Sequence, residues 1–345
     1  MHWSWSKMDL DSIHKNGRTV FSCFSCGGGS SFGYKLAGYE VLGNVELDHS
    51  MNECYIKNHH PRFNYCMDIR DFKMIPASGL PAALLNLDIL DGSPPCSTFS
   101  LAGRREEGWG EEKKFREGQK AQRLDDLFFE FIEVAKKLQP KVVIAENVKG
   151  LIIGNAKGYL NEIIRRFREI GYEVQVFQLN AAQMGVPQTR ERVFIVCRKK
   201  NLSLPDLSLR FCEKPIPFGE VRSAYGIPTG KDSKYGALMK YRIQSDKSID
   251  DINFRVHKRQ SGFTNPIVSD NRVCPTLTSN GTFFRMVDGH KLSNEDMVAI
   301  QTFPRDYDFR GQSVQYVCGM SVPPIMMGKI AEQIYQQWFT LQNAR

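Results

Sequence analysis

Of the nine cysteines, Cys96 has the most constrained placement. The segment GSPPCSTFS puts two prolines directly before it, and their fixed φ stiffens the chain where the apolar run 87–91 ends. Open α/β sheets gather their ligands at the carboxyl ends of strands, so a thiol held there is a candidate nucleophile, able to form a covalent intermediate. A second apolar run, 142–145, closes on Glu146 and Asn147. If the two runs are neighbours in a sheet, an acid stands beside the thiol. Further along, QTRERVFIV enters another apolar run with Arg190 and Arg192 alternating at its start, placed to anchor an anion or the oxygen of a base.

The stretch FSCFSCGGGSS suggests a ligand site of a different kind. Three consecutive glycines between a strand and a helix let backbone approach a ligand closely, and the helix start offers unpaired N–H groups. Glu46, followed by Leu47 and Asp48, ends the next apolar run, where an acid can bind ribose hydroxyls. The turn departs from GxGxxG and is followed by no phosphate-binding Lys or Arg, which favours a nucleoside without phosphates over NAD or ATP. The alternative is a tight turn with no ligand. Cys23 and Cys26 form a CxxC, but no second pair or suitable His completes a zinc site, and two small buried residues explain it better than a redox pair.

Positioning these residues requires a sheet. Apolar runs at 19–24, 41–46, 87–91, 142–145, 173–179 and 193–197 alternate with helical spacing near 32–37, 51–58, 125–138 and 159–170. Strands alternating with helices define an α/β fold with a mostly parallel, doubly wound sheet. After 199 the pattern breaks into short Pro-containing pieces until about 268, then ends in a helix expected over 325–341. The quarter 199–275 holds 14 Lys and Arg against 8 Asp and Glu, so it carries +6 of the net charge of +8. A basic second lobe suits a polyanionic partner. The start lacks the layout of a signal peptide, no apolar run reaches a membrane span, and scattered cysteines fit a reducing compartment, so a cytoplasmic protein is expected.

Taken in order, FSCFSCGGGSS, VELD, GSPPCSTFS, ENV, QTRERV, PTLTS and GMSVPP resemble the cytosine-C5 DNA methyltransferases of bacterial or phage type, over roughly 19–200 and 270–340. The resemblance implies a Rossmann-like mixed sheet, the class I methyltransferase fold, with a smaller basic target-recognition domain. It implies an arm at 1–18, a catalytic domain at 19–199 and 270–345, and target recognition at 200–269. Catalysis would use Cys96, Glu146, Arg190 and Arg192: the thiol adding to C6 of a flipped cytosine, the carboxyl on N3, the arginines holding the base and the thiol's geometry. S-adenosylmethionine, with S-adenosylhomocysteine as product, would lie against Phe24, Gly28, Gly29, Ser30, Glu46, Leu47, Asp68, Ile69, Pro95, Ser321 and Val322, with no metal.

By the same resemblance, Ser97, Ser100, Arg104 and Arg123 would touch double-stranded DNA from a loop that closes as a lid; a merely solvated loop is the other reading. Cys26, Ser97 and Met320 depart from the family's usual glycine, glutamine and asparagine. A restriction-modification role beside a separate endonuclease, or a solitary methylase, is implied, acting as a cytoplasmic, nucleoid-associated monomer with no membrane contact. Two rivals remain: a methylase of tRNA, and a DNA-binding module without catalysis.

Overall fold

Apolar segments too short for helices and rich in β-branched residues build the larger of two compact units, which comprises Ser12–Asn180, Glu191–Arg210 and Met327–Arg345. The structure, a computed structural model, describes residues 1–95, 112–113, 122–123, 126–154, 156–231, 233–260, 262 and 265–343. Cys96, Ser97, Ser100 and Arg104 lie outside the described residues, and of Arg123 only the backbone is described, in a two-residue strand paired antiparallel with Glu112–Lys113.

The unit is organised by a seven-stranded sheet. Its strands are β1 (Thr19–Cys23), β2 (Glu40–Glu46), β3 (Phe63–Cys66), β4 (Ile89–Gly92), β5 (Val142–Val148), β6 (Tyr172–Asn180) and β7 (Glu191–Lys199). In space they run β3-β2-β1-β4-β5-β7-β6. Pairing is parallel from β3 to β5, while β7 runs antiparallel to both neighbours, so the sheet is mixed as expected. Strand order reverses between β1 and β4, the switch point at which open sheets leave a crevice beyond their carboxyl ends. The glycine-rich turn follows β1 and the Pro94–Pro95 segment follows β4, so both emerge there.

Burial explains which strands the sequence announced. All four residues of β4 and the first six of β5 are buried, as central parallel strands covered on both faces must be. Helix α4 (Leu127–Leu138) lays Leu127, Phe128, Phe131, Ile132, Val134, Ala135 and Leu138 on them, the set its spacing prescribes. Each such aromatic stabilises by roughly 2 kcal/mol on burial. A Cβ at Gly92 would meet the Phe131 ring at 2.5 Å, so only glycine lets α4 seat on the end of β4.

Two elements escape the expected pattern. The edge strand β3 buries no residue fully and has no apolar run to announce it, and the following helix α3 (Ile69–Met74) is only six residues long. At the chain's end the expected single helix is three pieces: Pro324–Ile334, a π-helical turn Tyr335–Phe339, and Thr340–Asn343. The extra residue per turn brings Trp338 fully under the surface, where its indole N–H donates to the Pro205 carbonyl at 2.8 Å.

The other unit comprises Met1–Asp11, Ala181–Arg190 and Phe211–Met326. Its ladders are two residues long: Ile267–Val268 with Phe284–Arg285, and Gln188–Thr189 with Cys274–Pro275. Its helices are α5 (Lys234–Met239), α6 (Ile249–His257), α7 (Asn294–Gln301) and α8 (Val314–Met320). Serines 248 and 293 form capping boxes on α6 and α7. The expected lobe 200–269 falls mostly inside this unit, which also takes in 270–326. The N-terminal segment is anchored in it: Trp5 is buried and its indole N–H donates to the Thr302 carbonyl at 2.9 Å.

Candidate active site

The turn after β1 is held in an unusual backbone conformation. Phe24, Cys26 and Gly28 all have left-handed φ, at 55°, 45° and 78°. Gly28 precedes helix α1 (Gly29–Leu36), and a Cβ there would land 2.0 Å from the His59 ring, so the position has neither the φ nor the room for a side chain. The Phe24 amide donates to the Val45 carbonyl and Gly28 to Ser25. Beneath the turn, Asn44 donates to Ser25 Oγ and Asn52, Asn52 to Asn64, and Asn64 back to Asn44, a closed set of amides joining β2, β3 and helix α2 (His49–His59).

Glu46 closes the turn from the next strand. Its Oε2 accepts from the Cys26 amide at 2.8 Å and its Oε1 from the Asp48 amide at 2.9 Å. Burial raises its pKa, and these amides pull against that rise. With the Leu47 amide also donating, the carboxylate still has an acceptor site that these amides leave open, which suits a ribose hydroxyl. This donor set, the backbone of Gly28 and Gly29 and the start of α1 fit an uncharged ribose and an amino-acid tail. Leu47 is exposed. Asp68 caps α3, accepting from the Arg70 amide and guanidinium, with Ile69 buried after it. Phe24, Gly28, Gly29, Ser30 and Glu46 are thereby gathered around one turn. Ser321 and Val322 belong to the other compact unit, where both are buried.

At the end of β5, Glu146 and Asn147 divide their work. The Asn147 amide donates to the Pro94 carbonyl at 3.1 Å, fixing the segment that leads to Cys96; nothing in the sequence announced this contact. Glu146 accepts from Arg192 Nε at 2.9 Å, and only about a tenth of each side chain is exposed. Register explains the pair: Arg192 lies opposite Val148 across the antiparallel ladder, so it is the diagonal neighbour of Glu146 on the same face. Because β4 and β5 pair in parallel, with Gly92 opposite Ala145, the acid and the Pro94–Pro95 segment leave adjacent strands at the same end. Lys149 pairs with Glu191 beside them.

Arg190, two residues before Arg192, has a different occupation. It is buried in the other unit, where its guanidinium donates to the carbonyls of Leu277 and Gly319 at 3.1 and 3.0 Å. Expected beside Arg192 at the substrate, Arg190 holds the PTLTS and GMSVPP segments in this structure. Gln188 and Gln301 complete that tie: Gln188 accepts from the Leu277 amide and donates to Gln301, which donates to the Ser321 carbonyl.

The CxxC is not a reactive pair. Cys23 is buried in the core, and burial, with Asp91 nearby, pushes its thiol far above its ordinary range; Cys26 is half-buried and forms no disulfide. Among the described residues no group of three or more His, Cys, Asp or Glu is placed to hold a metal ion, and no helix is long and apolar enough to cross a membrane.

In the basic stretch, four of six arginines are tied internally. Arg242 donates to the carbonyls of Met239, Met286 and Val287, Arg255 pairs with Asp246 and donates to the Tyr241 carbonyl, Arg272 donates to the Gln244 carbonyl, and Arg222 pairs with Asp270. The loop they hold turns Lys240, Tyr241, Ile243 and Gln244 outward. A cavity of about 500 Å³ lies beside it, lined by Lys240, Arg242, Gln244, Asp270, Met286 and Val287.

A sheet with this switch point, a buried acid at the end of β2 and a second acid at the end of β5, beside the proline-stiffened segment after β4, is the arrangement of an α/β enzyme that gathers its ligands at the carboxyl ends of its strands. The chain belongs to the C-5 cytosine-specific DNA methylase family, whose model matches residues 18–336, and it is a DNA cytosine-5-methyltransferase. It is similar to the Type II methyltransferase M.FnuDI of Fusobacterium nucleatum, with 28% identity across 91% of this chain and 93% of the relative. The Type II methyltransferase M.DdeI of Desulfomicrobium norvegicum is 26% identical across 93% and 88%. Among solved structures, the Spodoptera frugiperda DNMT2 superposes with a TM-score of 0.63 at 16% identity, covering 92% of this chain and all of that one, which speaks for the fold.

Proposed function

We propose that the protein methylates C5 of a cytosine flipped out of double-stranded DNA through a covalent adduct between Cys96 and C6. The observation that carries this reading is the buried Glu146–Arg192 pair at the end of β5, beside the segment that Asn147 fixes just before Cys96. Cytosine C5 is a poor nucleophile. Addition of the Cys96 thiolate to C6 moves the ring's electron pair toward C5 and N3, and a carboxyl at N3 stabilises that charge. Arg192 holds Glu146 in place and keeps a positive charge in a site that burial has dried.

Bound against these residues, S-adenosylmethionine would provide the electrophilic methyl group for C5, with S-adenosylhomocysteine as the product. Glu46 would accept its ribose hydroxyls, Phe24 would stack on its adenine region, and Gly28 and Gly29 would admit its amino-acid tail, with Leu47, Asp68, Ile69 and Pro95 completing the pocket. Loss of the C5 proton to solvent then lets the C5–H electrons re-form the C5–C6 double bond as the Cys96 sulfur leaves C6 as thiolate, restoring the aromatic ring. Extraction of the base needs a lid and a recognition surface. We assign the lid to the loop after Cys96, with Ser97, Ser100, Arg104 and Arg123, and recognition to the lobe around 200–269. The outward Lys240, Tyr241 and Gln244, on a loop held by its own arginines, suit reading of base edges better than those arginines suit phosphates. The similarity to Type II methyltransferases favours a restriction-modification role beside a separate endonuclease, with the protein a cytoplasmic monomer.

The test is covalent trapping on mixed-sequence duplex DNA containing 5-fluorocytosine, in the presence of S-adenosylmethionine. Fluorine cannot leave C5 as a proton does, so a complex that survives denaturation is expected, and Cys96→Ser should abolish it. Trapping on tRNA and not on DNA would overturn the substrate assignment, and tight DNA binding without any adduct would overturn the mechanism.

A further inference from the structure

One buried acid near the turn has no part in the chemistry above. Asp91, on β4 and five residues before Cys96, is 1% exposed. Its Oδ2 accepts from Ser22 Oγ on β1 at 2.9 Å, and its Oδ1 from Tyr34 Oη on α1 at 3.1 Å; the Ser30 hydroxyl, one turn before Tyr34, also hydrogen-bonds to it. Ser22 lies directly across the ladder from Asp91. One carboxylate therefore ties together β1, the first two turns of α1 and the strand that delivers Pro94 and Pro95. Those are the two elements that border the glycine-rich turn and the one that carries the nucleophile segment.

A core position between apolar strands does not need an acid to fold. Burial pushes the Asp91 carboxyl up to about 7, the hydroxyls of Ser22, Tyr34 and Ser30 pull it down, and Glu146 on β5 pushes it up. The other titratable groups that face it are Cys23 on β1 and Tyr55 on α2, both held neutral by burial. None of these neighbours is a cation, so the ionised form rests on hydroxyl donors alone. A group in that position is poised between two states at neutral pH, one accepting every donor and one in which a hydroxyl must turn away.

We infer that Asp91 is a positioning residue for the cofactor: its ionised carboxylate draws Ser22, Ser30 and Tyr34 together and so fixes the start of α1 and its glycine-rich turn against the nucleophile strand. The inference rests on the assignment of that turn to S-adenosylmethionine. Ionised Asp91 holds the pocket formed, and protonated Asp91 loosens it. Because the effect acts through the turn, it applies equally to the cationic donor and to its neutral product.

Calorimetric titration of the full chain with S-adenosylhomocysteine and with S-adenosylmethionine, from pH 5.5 to 8.5, tests this in the wild type, Asp91→Asn and Tyr34→Phe. The expected result is a wild-type Kd for both ligands that tightens about tenfold with rising pH around 7. Asp91→Asn should be flat and weak at every pH. Tyr34→Phe should keep a pH dependence displaced upward, since the anion has lost a donor; a purely structural role would not move that midpoint. Circular dichroism confirms that each variant is folded. An Asp91→Asn profile that follows the wild type, or a loss confined to S-adenosylmethionine, would overturn the inference while leaving the cofactor assignment intact. Failure of the wild type to bind either ligand at any pH would overturn both.

Discussion

The two compact units obtain their rigidity differently. In the sheet unit the backbone ladders do the holding: every residue of β4 is paired on both sides, and β7 is paired at all nine residues to β6 and at seven to β5. Side chains at the strand ends are then available for chemistry, and Glu146, Arg192 and Glu46 stand there. The other unit has ladders only two residues long, and its arginines take the place of strands. Arg190, Arg242, Arg255 and Arg272 each donate to backbone carbonyls of segments that no sheet orders. A charged side chain in the first unit is therefore a candidate for function, whereas in the second it is first a candidate for scaffolding. Arg190 and Arg192 show the contrast two residues apart.

That contrast is broken most directly at Glu146. Replacement by Gln keeps the shape and removes the acid, so kcat/KM for DNA methylation should fall by about 10²- to 10⁴-fold, the usual contribution of a positioned acid or base, with little change in urea midpoint. A variant that loses stability and keeps its rate would make Glu146 a scaffold residue like those of the other unit. Arg190→Leu should do the reverse. It leaves the Leu277 and Gly319 carbonyls without their donor, at about 1–3 kcal/mol each. Chemical denaturation should show roughly 3 kcal/mol lost, and the remaining folded enzyme should methylate at close to the normal rate.

Asp91 sharpens the comparison, because it is a charge that the sheet unit keeps at a cost. Its native pKa of about 7 lies above the ordinary carboxylate value of 3.8, so the native state binds this proton more tightly than the unfolded chain. The resulting penalty is absent below about pH 4, grows between 4 and 7, and is complete above 7. Its ceiling is roughly 4 kcal/mol at 1.36 kcal/mol per pKa unit. Asp91→Asn removes the penalty but also one hydrogen bond, so a gain of about 2 kcal/mol at pH 8 and none at pH 4 is expected in urea titrations. A loss at pH 8 would show that the hydroxyl donors more than offset burial of the charge.

How much of this could be read in advance follows from the same division. Central strands are buried on both faces, so β1, β2, β4 and β5 appear as apolar runs that periodicity finds. The edge strand β3 alternates half-buried with exposed residues and has no such signature. Glu46 and Glu146 were legible because each closes an apolar run, and Arg192 because it alternates into one. Asn147 was not, since its partner Pro94 is 53 residues away and a carbonyl leaves no mark in a sequence. The Gln188–Gln301 bond spans 113 residues and was invisible for the same reason. Asp91 looked like the polar end of its strand; only the fold places Tyr34 and Ser22 on it. The arginines around 242–272 entered only as part of a net positive charge, because charge counts cannot tell a side chain facing out from one turned back on its own loop.

The smallest effect concerns the turn after β1, where the described residues of the site carry left-handed backbone at non-glycine positions. Cys26 sits at φ 45° between two other left-handed residues, and a β-carbon in that region costs about 1–2 kcal/mol relative to glycine. Its hydrogen bond to Glu46 is made by the backbone amide, so glycine would keep it. Cys26→Gly should relieve the strain but give the unfolded chain more freedom, which offsets roughly 0.4–1 kcal/mol of the gain. A net stabilisation of about 0.5 kcal/mol is expected in denaturant titrations, with cofactor affinity unchanged. If affinity falls instead, the Cys26 side chain itself contacts the ligand and does more than carry the backbone amide that Glu46 holds.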